Sequence, residues 1–577
     1  MKIQPCHRMK ARCLSHFTLS CMLVDSVVTA AIAAAPTIYH QPQSQTVILY
    51  QPAAFCVEAG GTAPLWYQWR KDGVPIAGAT TNQLVIAHSQ FADAGLYSVV
   101  VANALSSVTS VDARLTVNTL RDGDLDFAFP LGSSIDSYVH AFAVQPDGKV
   151  LIGGHFYTVN GAARGKVARL NADGTLDAGF QNGLSGANYR VTSITLQSNG
   201  RVLIGGYFTT VNGITRSRIA RLNADGSLDN SFLNGLSGVN SFNVSSIAVQ
   251  TDGKVLVGGR FATVNGVSRT NIARLNLDGT LDTNFQSAAS LSSGGSVNSI
   301  VMQNDGKVLI GGAFTNVNGV ARKAIARLNP DGTLDSGFDG RLSEIELSGL
   351  NVPPSFIEPT VDSVALQGDG KTLIAGNFAT ANPLSPDRIV RLNADGSVDA
   401  SFKSSPDGAV NALAVQSDGK ILIAGQFTKV NGVGRNSIAR LNSDGTLDAG
   451  FQNGLSGVTW NSGAARVESL AVQSDGKVLI GGDFWTVNGA PATYFARLWG
   501  ADLPPLVKSV NRSGADVNLS WYAISNRTYR VQYNGNLSAT NWTDLAGDVS
   551  AASATASKTD STLSNASQRF YRVVLLP

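Results

Sequence analysis

The stretch QTDGKVLVGGRFATVNGVSRTNIARLNLDGTLDTNF, residues 250–285, decides the fold, because its pattern recurs along most of the chain. It opens with Gln, x, Asp, Gly, Lys, three apolar or β-branched residues, Gly or Ala, Gly, x, Phe. In outline this phrase recurs seven times, its Phe falling at 156, 208, 261, 314, 378, 427 and 484. A second phrase, Arg-Leu-Asn-x-Asp-Gly-x-Leu-Asp-x-x-Phe, follows six of the seven, with Val398 once replacing Leu. The seventh unit keeps only Arg497 and Leu498.

Within the quoted unit, Val244, Ile247 and Val249 lead to Asp252-Gly253, and Val255 to Phe261 follow. This reads as strand, two-residue turn, strand, and Asp-Gly suits a type I′ hairpin because both turn positions need positive φ. A looser turn is expected at Asn265-Gly266, then a strand over 272–276, a second tight turn at Asp278-Gly279 and a last strand over 281–285. Four strands joined by three turns predict one antiparallel sheet per unit. Seven such sheets of about 50 residues are what a β-propeller requires.

A solenoid is the rival, and the chain contains a test. Residues 122–129, Asp-Gly-Asp-Leu-Asp-Phe-Ala-Phe, are an orphan copy of the last strand placed ahead of the first unit, and the seventh unit lacks that strand. Tight turns hold strands in one sheet, whereas the links from each final Phe to the next unit vary from 402–410 up to 338–361. Blade boundaries therefore fall in the links, and the orphan strand completes the seventh blade from the other end of the array. This closes a ring and removes two exposed sheet edges, a gain that a solenoid would not have. The paired phrases resemble the delta-60 repeat family of bacterial propeller proteins over residues 121 to about 500. That resemblance implies a propeller fold and a bacterial source more than any activity.

The expected organisation is an export signal over 1–35, a sandwich over 37–118, a seven-bladed propeller over 119–501 and a second sandwich over 504–577. The fold class is all-β. The first sandwich resembles an immunoglobulin domain, with Trp69 as its core tryptophan and Tyr97 as its tyrosine corner. Val57 and Val99 stand where its framework disulfide would be, and Cys56 alternates outward. The second resembles a fibronectin type III domain through Trp521, Tyr529 to Tyr533 and Phe570 to Val573 with period-two alternation.

The first 35 residues run from a basic start into Ala30 to Ala35, the order of a secretory signal. They hold Lys2, Arg8, Lys10 and Arg12 against Asp25, so the remainder carries 44 − 4 = 40 basic and 41 − 1 = 40 acidic residues. A neutral body without a basic stripe excludes nucleic acid and disfavours an anionic membrane. No segment reaches about 18 consecutive apolar residues, so no membrane span is expected. Cys6, Cys13 and Cys21 lie in the signal, leaving Cys56 alone, so packing rather than an internal disulfide must stabilise the mature chain. The end at Pro577 carries no sorting motif or apolar tail, which gives C-terminal anchoring no support.

Anything present in all seven units serves the ring, because one ligand does not need seven equivalent sites. The Asn-x-Asp-Gly-x-Leu-Asp phrase offers oxygens at Asn171, Asp173 and Asp177, but Arg169 and Phe180 occupy the terminal places of a calcium loop, so a turn with a structural Arg–Asp pair is expected. The Gly-Gly pairs precede no helix and are read as close packing between blades, with Ala375 and Ala424 showing that small size suffices. His140 and His155 have no third metal ligand and are read as solvated strand residues. The fifth unit departs most, with residues 339–360 inserted before it and 381–387 replacing its Asn-Gly turn. Glu344, Glu346 and Glu358 in the insertion are the candidate binding-rim residues. No catalytic residue, metal or cofactor is assigned, since there is no Gly-x-Ser-x-Gly elbow and no Cys beside a His.

The function expected from this pattern is a secreted or cell-surface, non-enzymatic binding or adhesion protein. Its partner would be an extracellular glycan or protein, with no nucleic acid and no membrane span, and the chain would be a monomer. An extracellular propeller enzyme acting on polysaccharide, a lyase or hydrolase, is the alternative. A structural envelope or matrix protein is the third.

Overall fold

The computed structural model describes residues 33–129, 135–285, 295–340, 359–377, 388–452, 454–460, 463–500, 506–514, 516–523, 528–536, 541–552, 555–562 and 568–576. Two compact units are present, one ending at Leu120 and one beginning at Arg121. Among the described residues no helix is long and apolar enough to cross a membrane.

The first unit contains an antiparallel group built on Gly95–Ala102, which pairs with Trp66–Lys71, Ser107–Thr109 and Ala113–Asn118; the last runs parallel to Gln45–Ile48. A second sheet pairs Ala53–Cys56 with Gln83–Ile86. Residues of both sheets enclose one core, in which Trp69 is fully buried and Phe55 stacks on Tyr97 with centroids 4.7 Å apart. Burying an indole or phenol requires a partner for its polar edge. Trp69 Nε1 donates to the Thr81 carbonyl at 2.9 Å, and the Tyr97 hydroxyl donates to the Asp93 carbonyl at 2.7 Å. Val57 and Val99 are both in the core, while Cys56 is half-buried.

In the second unit, seven antiparallel sheets of like design follow one another. Each has an inner strand, a second strand and a third strand, as in Val139–Val144, Val150–Gly154 and Val167–Leu170. The second strand is buried along its whole length because both faces of every sheet are covered by neighbouring blades. This is why Val-Leu-Ile-Gly-Gly shows no alternation. One core cluster joins Ala141, Leu151 and Phe180 of blade 1 to Val191, Ile194 and Ile204 of blade 2. Successive inner strands lie side by side around the array, and Val139–Val144 of blade 1 also lies against Arg466–Val472 of blade 7. The seven sheets therefore form a closed ring.

The orphan strand closes it. In six blades the leucine ending the third strand bridges a residue of the last phrase, as in Leu170 with Leu176; in blade 7 the corresponding Leu498 bridges Leu125. The Asp126 amide donates to the Arg497 carbonyl at 2.9 Å, and the Trp499 amide donates to the Asp124 carbonyl at 2.8 Å. Leu125 lies in the core cluster of blade 7 and Phe129 in that of blade 1.

The turn chemistry differs from the sequence expectation. At Gln145 to Lys149 the Gln145 amide donates to the Lys149 carbonyl and the Gly148 amide to the Gln145 carbonyl, enclosing three turn residues. Only Gly148 has positive φ, at 81°, so the Asp-Gly pairs end a three-residue turn and are not type I′. Asp147 stays right-handed because its Oδ1 accepts the Lys149 amide. The Asn-Gly pairs, expected to be looser, are the two-residue turns: Asn160 and Gly161 have φ of 51° and 73° between paired Val159 and Ala162.

The fourth strand of each blade is likewise shortened to a single bridge. Asp177 Oδ1 accepts the Gly179 amide at 2.8 Å, an Asx turn that curls the chain away from the ladder and folds Phe180 into the core.

The Gly-Gly pair has two causes rather than one. A Cβ on Gly205 would meet Val244 and Ile247 side chains of the next blade at 2.7 and 2.9 Å, and Ala375 or Ala424 fills this position in blades 5 and 6. A Cβ on Gly206 would lie 2.3 Å from the Arg190 carbonyl oxygen, because the inner strand shifts register between Val191 and Ser193. That second position is Gly in all seven blades, at 154, 206, 259, 312, 376, 425 and 482.

The repeated Arg, Asp and Lys form one relay. Arg169 Nε and Lys149 Nζ donate to Asp177 Oδ2 at 2.8 and 2.9 Å, and Arg169 Nη1 reaches the Ala224 carbonyl of blade 2 at 2.6 Å. Arg221, Arg274 and Arg327 repeat the reach to Leu277, Pro330 and Ala394, and Arg391 makes it to Ser443. Arg440 contacts Asp122 of the closing strand at 2.6 Å. Arg497 bonds Asp126 at 2.8 Å and returns to the Ala172 carbonyl of blade 1 at 2.8 Å.

Residues following the propeller form two further sheets. Leu506–Ser513, Asp516–Tyr522 and Thr555–Asp560 make one; Thr528–Asn534 with Thr543–Asp544, Val549–Ser550 and Phe570–Leu575 makes the other. They share a core containing Leu519, Trp521, Tyr529 and Val531.

Two outcomes follow for stability. Gly205→Ala is expected to cost about 1–3 kcal/mol as an overpacking change, and Gly206→Ala more, since a backbone carbonyl stands in its way; equal shifts in thermal unfolding would contradict the bulge account. The second concerns acid. Burial opposes ionisation of Asp177, but the bonds from Lys149, Gly179 and Arg169 outweigh it and hold its carboxyl at about 2, as they do by the same means at Asp335 and Asp448. A carboxyl whose folded pKa lies below its unfolded value near 4 contributes stability that is complete above that value and lost as pH falls through 2. Asp122, Asp124, Asp362 and Asp483, pushed up by burial, act in the opposite sense, but they are four against six relay aspartates. The melting temperature should therefore fall steeply between pH 4 and 2, and a flat profile there would count against the relay.

Candidate functional site

Glu344, Glu346 and Glu358 lie outside the described residues, as do most of the fifth unit's insertion and its altered turn. The difference between blades that the structure does describe lies elsewhere. At the blade ends remote from the Asp-Gly turns, three positions converge: the residue before the inner strand, the residue after the Gly pair and the residue before the third strand. In blade 1, His155 donates its amide to the Tyr138 carbonyl at 2.9 Å, and the Gly154 amide donates to the Lys166 carbonyl at 3.0 Å, which fixes these three together.

Blades 7, 1 and 2 fill the three positions with Arg466, Asp483 and Tyr494; Tyr138, His155 and Lys166; and Arg190, Tyr207 and Arg218. All nine are charged, aromatic or histidine. Blades 3 to 6 place Asn243, Arg260, Asn271, Ser296, Ala313, Ala324, Thr360, Asn377, Arg388, Ala409, Gln426 and Ser437 there, of which only Arg260 and Arg388 are of that kind. The ring is thus nearly sevenfold in its core and lopsided on one face.

The side chains on that quadrant touch one another across blade boundaries. Tyr494 of blade 7 meets Tyr138 of blade 1 edge-on with centroids 5.3 Å apart, and His155 of blade 1 lies 5.7 Å from Tyr189 of blade 2. Tyr189 continues to Tyr207 at 6.4 Å, and Arg218 Nη2 reaches the Ser241 carbonyl of blade 3 at 2.9 Å. Phe242 follows, under the Arg260 guanidinium at 4.2 Å. Tyr157 is 62% exposed, Phe242 56% and Tyr189 48%, so the crescent presents aromatic surface to solvent. Trp460 and Trp485 of blade 7, 5.6 Å apart and part-exposed, extend it at the other end.

Three of its cations, Lys166, Arg190 and Arg260, rest on rings rather than on acids. Lys166 Nζ sits 2.9 Å from the Tyr157 ring centroid, and the Arg190 guanidinium lies 3.9 Å from that of Tyr207. Burial pushes the Lys166 ammonium down, and it pushes His155 down as well, with the Lys166 charge adding to the effect. Asp136 stands near Lys166 and His155, and two further acids stand at the seam of blades 7 and 1. Glu468 accepts from His140 Nδ1 and pairs with Arg466 at 3.2 Å. Burial opposes its charged form, but the His140 bond and these charges outweigh burial and hold Glu468 below its ordinary value. Asp483 is pushed up, by burial first and then by Glu468.

The two histidines are therefore not solvated strand residues. The His140 side chain is 14% exposed and hydrogen-bonded to Glu468 across the ring closure, and His155 packs among tyrosines. Among the described residues no cluster of His, Cys, Asp and Glu could hold a metal ion. The oxygens considered for calcium are engaged: Asp173 Oδ1 accepts from Thr175, and Asp177 from Arg169, Lys149 and Gly179. Sequence reading missed the crescent because it followed the invariant positions. Aligning the seven units and inspecting only the variable positions beside Gly-Gly and before each third strand would have found it.

The family model described as Domain of unknown function (DUF5122) beta-propeller matches seven segments: residues 145–180, 197–232, 250–285, 303–338, 367–402, 416–451 and 473–500. No curated protein matches the chain. Among solved structures, a chimeric titin Z1Z2 carrying a decorin-derived peptide is similar at 26% identity, over 15% of this chain and 99% of that one, with a TM-score of 0.14. Extracellular domains 3–5 of Drosophila OTK match at 21% identity over 15% and 32%, with a TM-score of 0.14. The N-terminal four Ig domains of Dscam1 isoform 4.44 match at 30% over 15% and 21%, also with a TM-score of 0.14. At those scores the structural likenesses decide nothing. The seven family matches, each falling on one blade, identify the repeat region of this chain as a repeat β-propeller of the type that model describes.

Proposed function

We propose that the protein is exported and acts at the cell surface or outside the cell as a binding or adhesion protein whose propeller holds a glycan. The observation that carries this reading is the crescent over blades 7, 1, 2 and 3. Exposed tyrosine, phenylalanine and tryptophan rings, bordered by hydrogen-bonding and charged groups, suit the C–H faces and hydroxyls of sugar rings. A contiguous exposed aromatic patch on a soluble fold marks an interaction surface. The sheets before and after the propeller are immunoglobulin-like and fibronectin type III-like modules on this reading, serving as spacers or secondary contacts. Trp69 and the Tyr97 bond to Asp93 support the first assignment. Polysaccharide array screening of the mature protein should yield a ligand, and Tyr157→Ala with Tyr189→Ala should weaken its binding at least tenfold. Val320→Ala, an exposed apolar change on blade 4, should not. Absence of any glycan ligand would overturn the proposal.

One observation favours a second reading, cleavage of the bound glycan. At the seam, His140 and Arg466 hold Glu468 below its ordinary value while burial and Glu468 push Asp483 above its own, so two neighbouring carboxyls differ in proton affinity, as an acid and base pair must. The binding reading predicts that incubation with a bound polysaccharide releases no new chain ends. Release that disappears in Asp483→Asn would establish the second reading instead.

A further inference from the structure

The crescent gathers cations without an acid partner among exposed rings, whereas Arg164, Arg216 and Arg435, which also lack one, stand one to a blade and donate to a neighbouring carbonyl. Each relay lysine or arginine elsewhere faces an aspartate, from Lys149 with Asp177 to Arg497 with Asp126. Lys166, Arg190, Arg218 and Arg260 form no salt bridge among the described residues. Lys166 is 1% exposed and rests on Tyr157; Arg190 lies on Tyr207, with its Nε buried and unbonded; Arg260 lies on Phe242. Arg218 is satisfied only by the Tyr207, Phe208 and Ser241 carbonyls. Asp136, the nearest acid to Lys166, spends its two oxygens on the Tyr157 and Thr158 amides.

A buried cation without an anion is unfavourable, and ring faces offset that only in part. Lys166 is buried, Arg190 and Arg218 are half-buried and Arg260 is exposed; gathered on one quadrant without acid partners, the four present positive charge that an incoming anion would meet. The same cations are interleaved with exposed tyrosine and phenylalanine rings. We infer that the ligand of this face is an acidic polysaccharide, whose sugar rings stack on Tyr157, Tyr189 and Phe242 while its carboxylates or sulfate esters pair with Lys166, Arg190, Arg218 and Arg260. This rests on the glycan-binding reading above and adds the charge of the glycan.

The test uses the full chain and a pair of probes of equal shape and different charge: a hexamer of galacturonic acid and its fully methyl-esterified form, compared by calorimetry. The acid should bind at least tenfold more tightly than the ester, and its affinity should fall with rising salt. Arg190→Gln and Arg260→Gln should bring the ratio of the two affinities towards one, with unfolding curves checking that each variant is folded. A sulfated oligosaccharide bound in place of the uronate would keep the proposal and fix the acidic group as sulfate. Equal affinity for acid and ester would overturn the charge assignment while leaving the glycan reading intact. Failure of all three sugars would overturn the charge assignment, and the glycan reading would fall with it only if the polysaccharide array also yields no ligand. Single-stranded DNA of the same charge binding as tightly as the best sugar would also overturn the proposal, by showing a site for polyanions at large.

Discussion

The Arg497–Asp126 pair, with Asp126 fully buried and Arg497 nearly so, is the interaction on which the propeller depends. In six blades the equivalent arginine and aspartate lie eight residues apart on one hairpin, and forming their bond costs little chain entropy. In the seventh they lie 371 residues apart, so the bond can form only when all the intervening blades are in place. Because Arg497 also reaches the Ala172 carbonyl of blade 1 and stacks on Phe129, the same side chain ties the last blade to the closing strand and to the first. A buried ion pair of this kind contributes specificity as much as stability. Here the specificity is the ring itself.

Once the ring is fixed by invariant residues, the remaining positions are free to differ. The second strands, the relay and the glycine after the bulge are used in every blade for the same packing, so none of them can mark a particular ligand. The residues beside the bulge carry no packing duty that requires one identity: Ala313 stands in blade 4 where blade 2 has Tyr207. Aromatic and cationic residues have gathered there on adjacent blades, and the closeness of one blade end to the next turns separate substitutions into one surface.

Much of this was legible in the sequence. The seven phrases and the orphan strand give the blades, their number and their closure, because a repeated pattern reports a repeated environment. The Arg–Asp pairing follows from the same phrase. The turn types were not legible in detail: Asp-Gly is compatible both with a type I′ turn and with the last two places of a three-residue turn, and the hydrogen bond from Gln145 to Lys149 decides between them. The two roles of Gly-Gly were hidden because a register shift in the partner strand has no signature in the glycines themselves. His140 was misread because its partner, Glu468, is 328 residues away and is brought beside it only by closure.

The most direct measurement is a double-mutant cycle on Asp126→Leu and Arg497→Met, read by hydrogen exchange of the Gly123, Asp126 and Trp499 amides that carry the closing bonds. In the native chain these amides should exchange as slowly as those of the second strands. Each single change should release them, at about 3–5 kcal/mol for a buried charge left alone, and the double change should cost much less than the sum of the two. Additive losses, or closing amides that already exchange quickly in the native chain, would contradict a ring held shut by this pair.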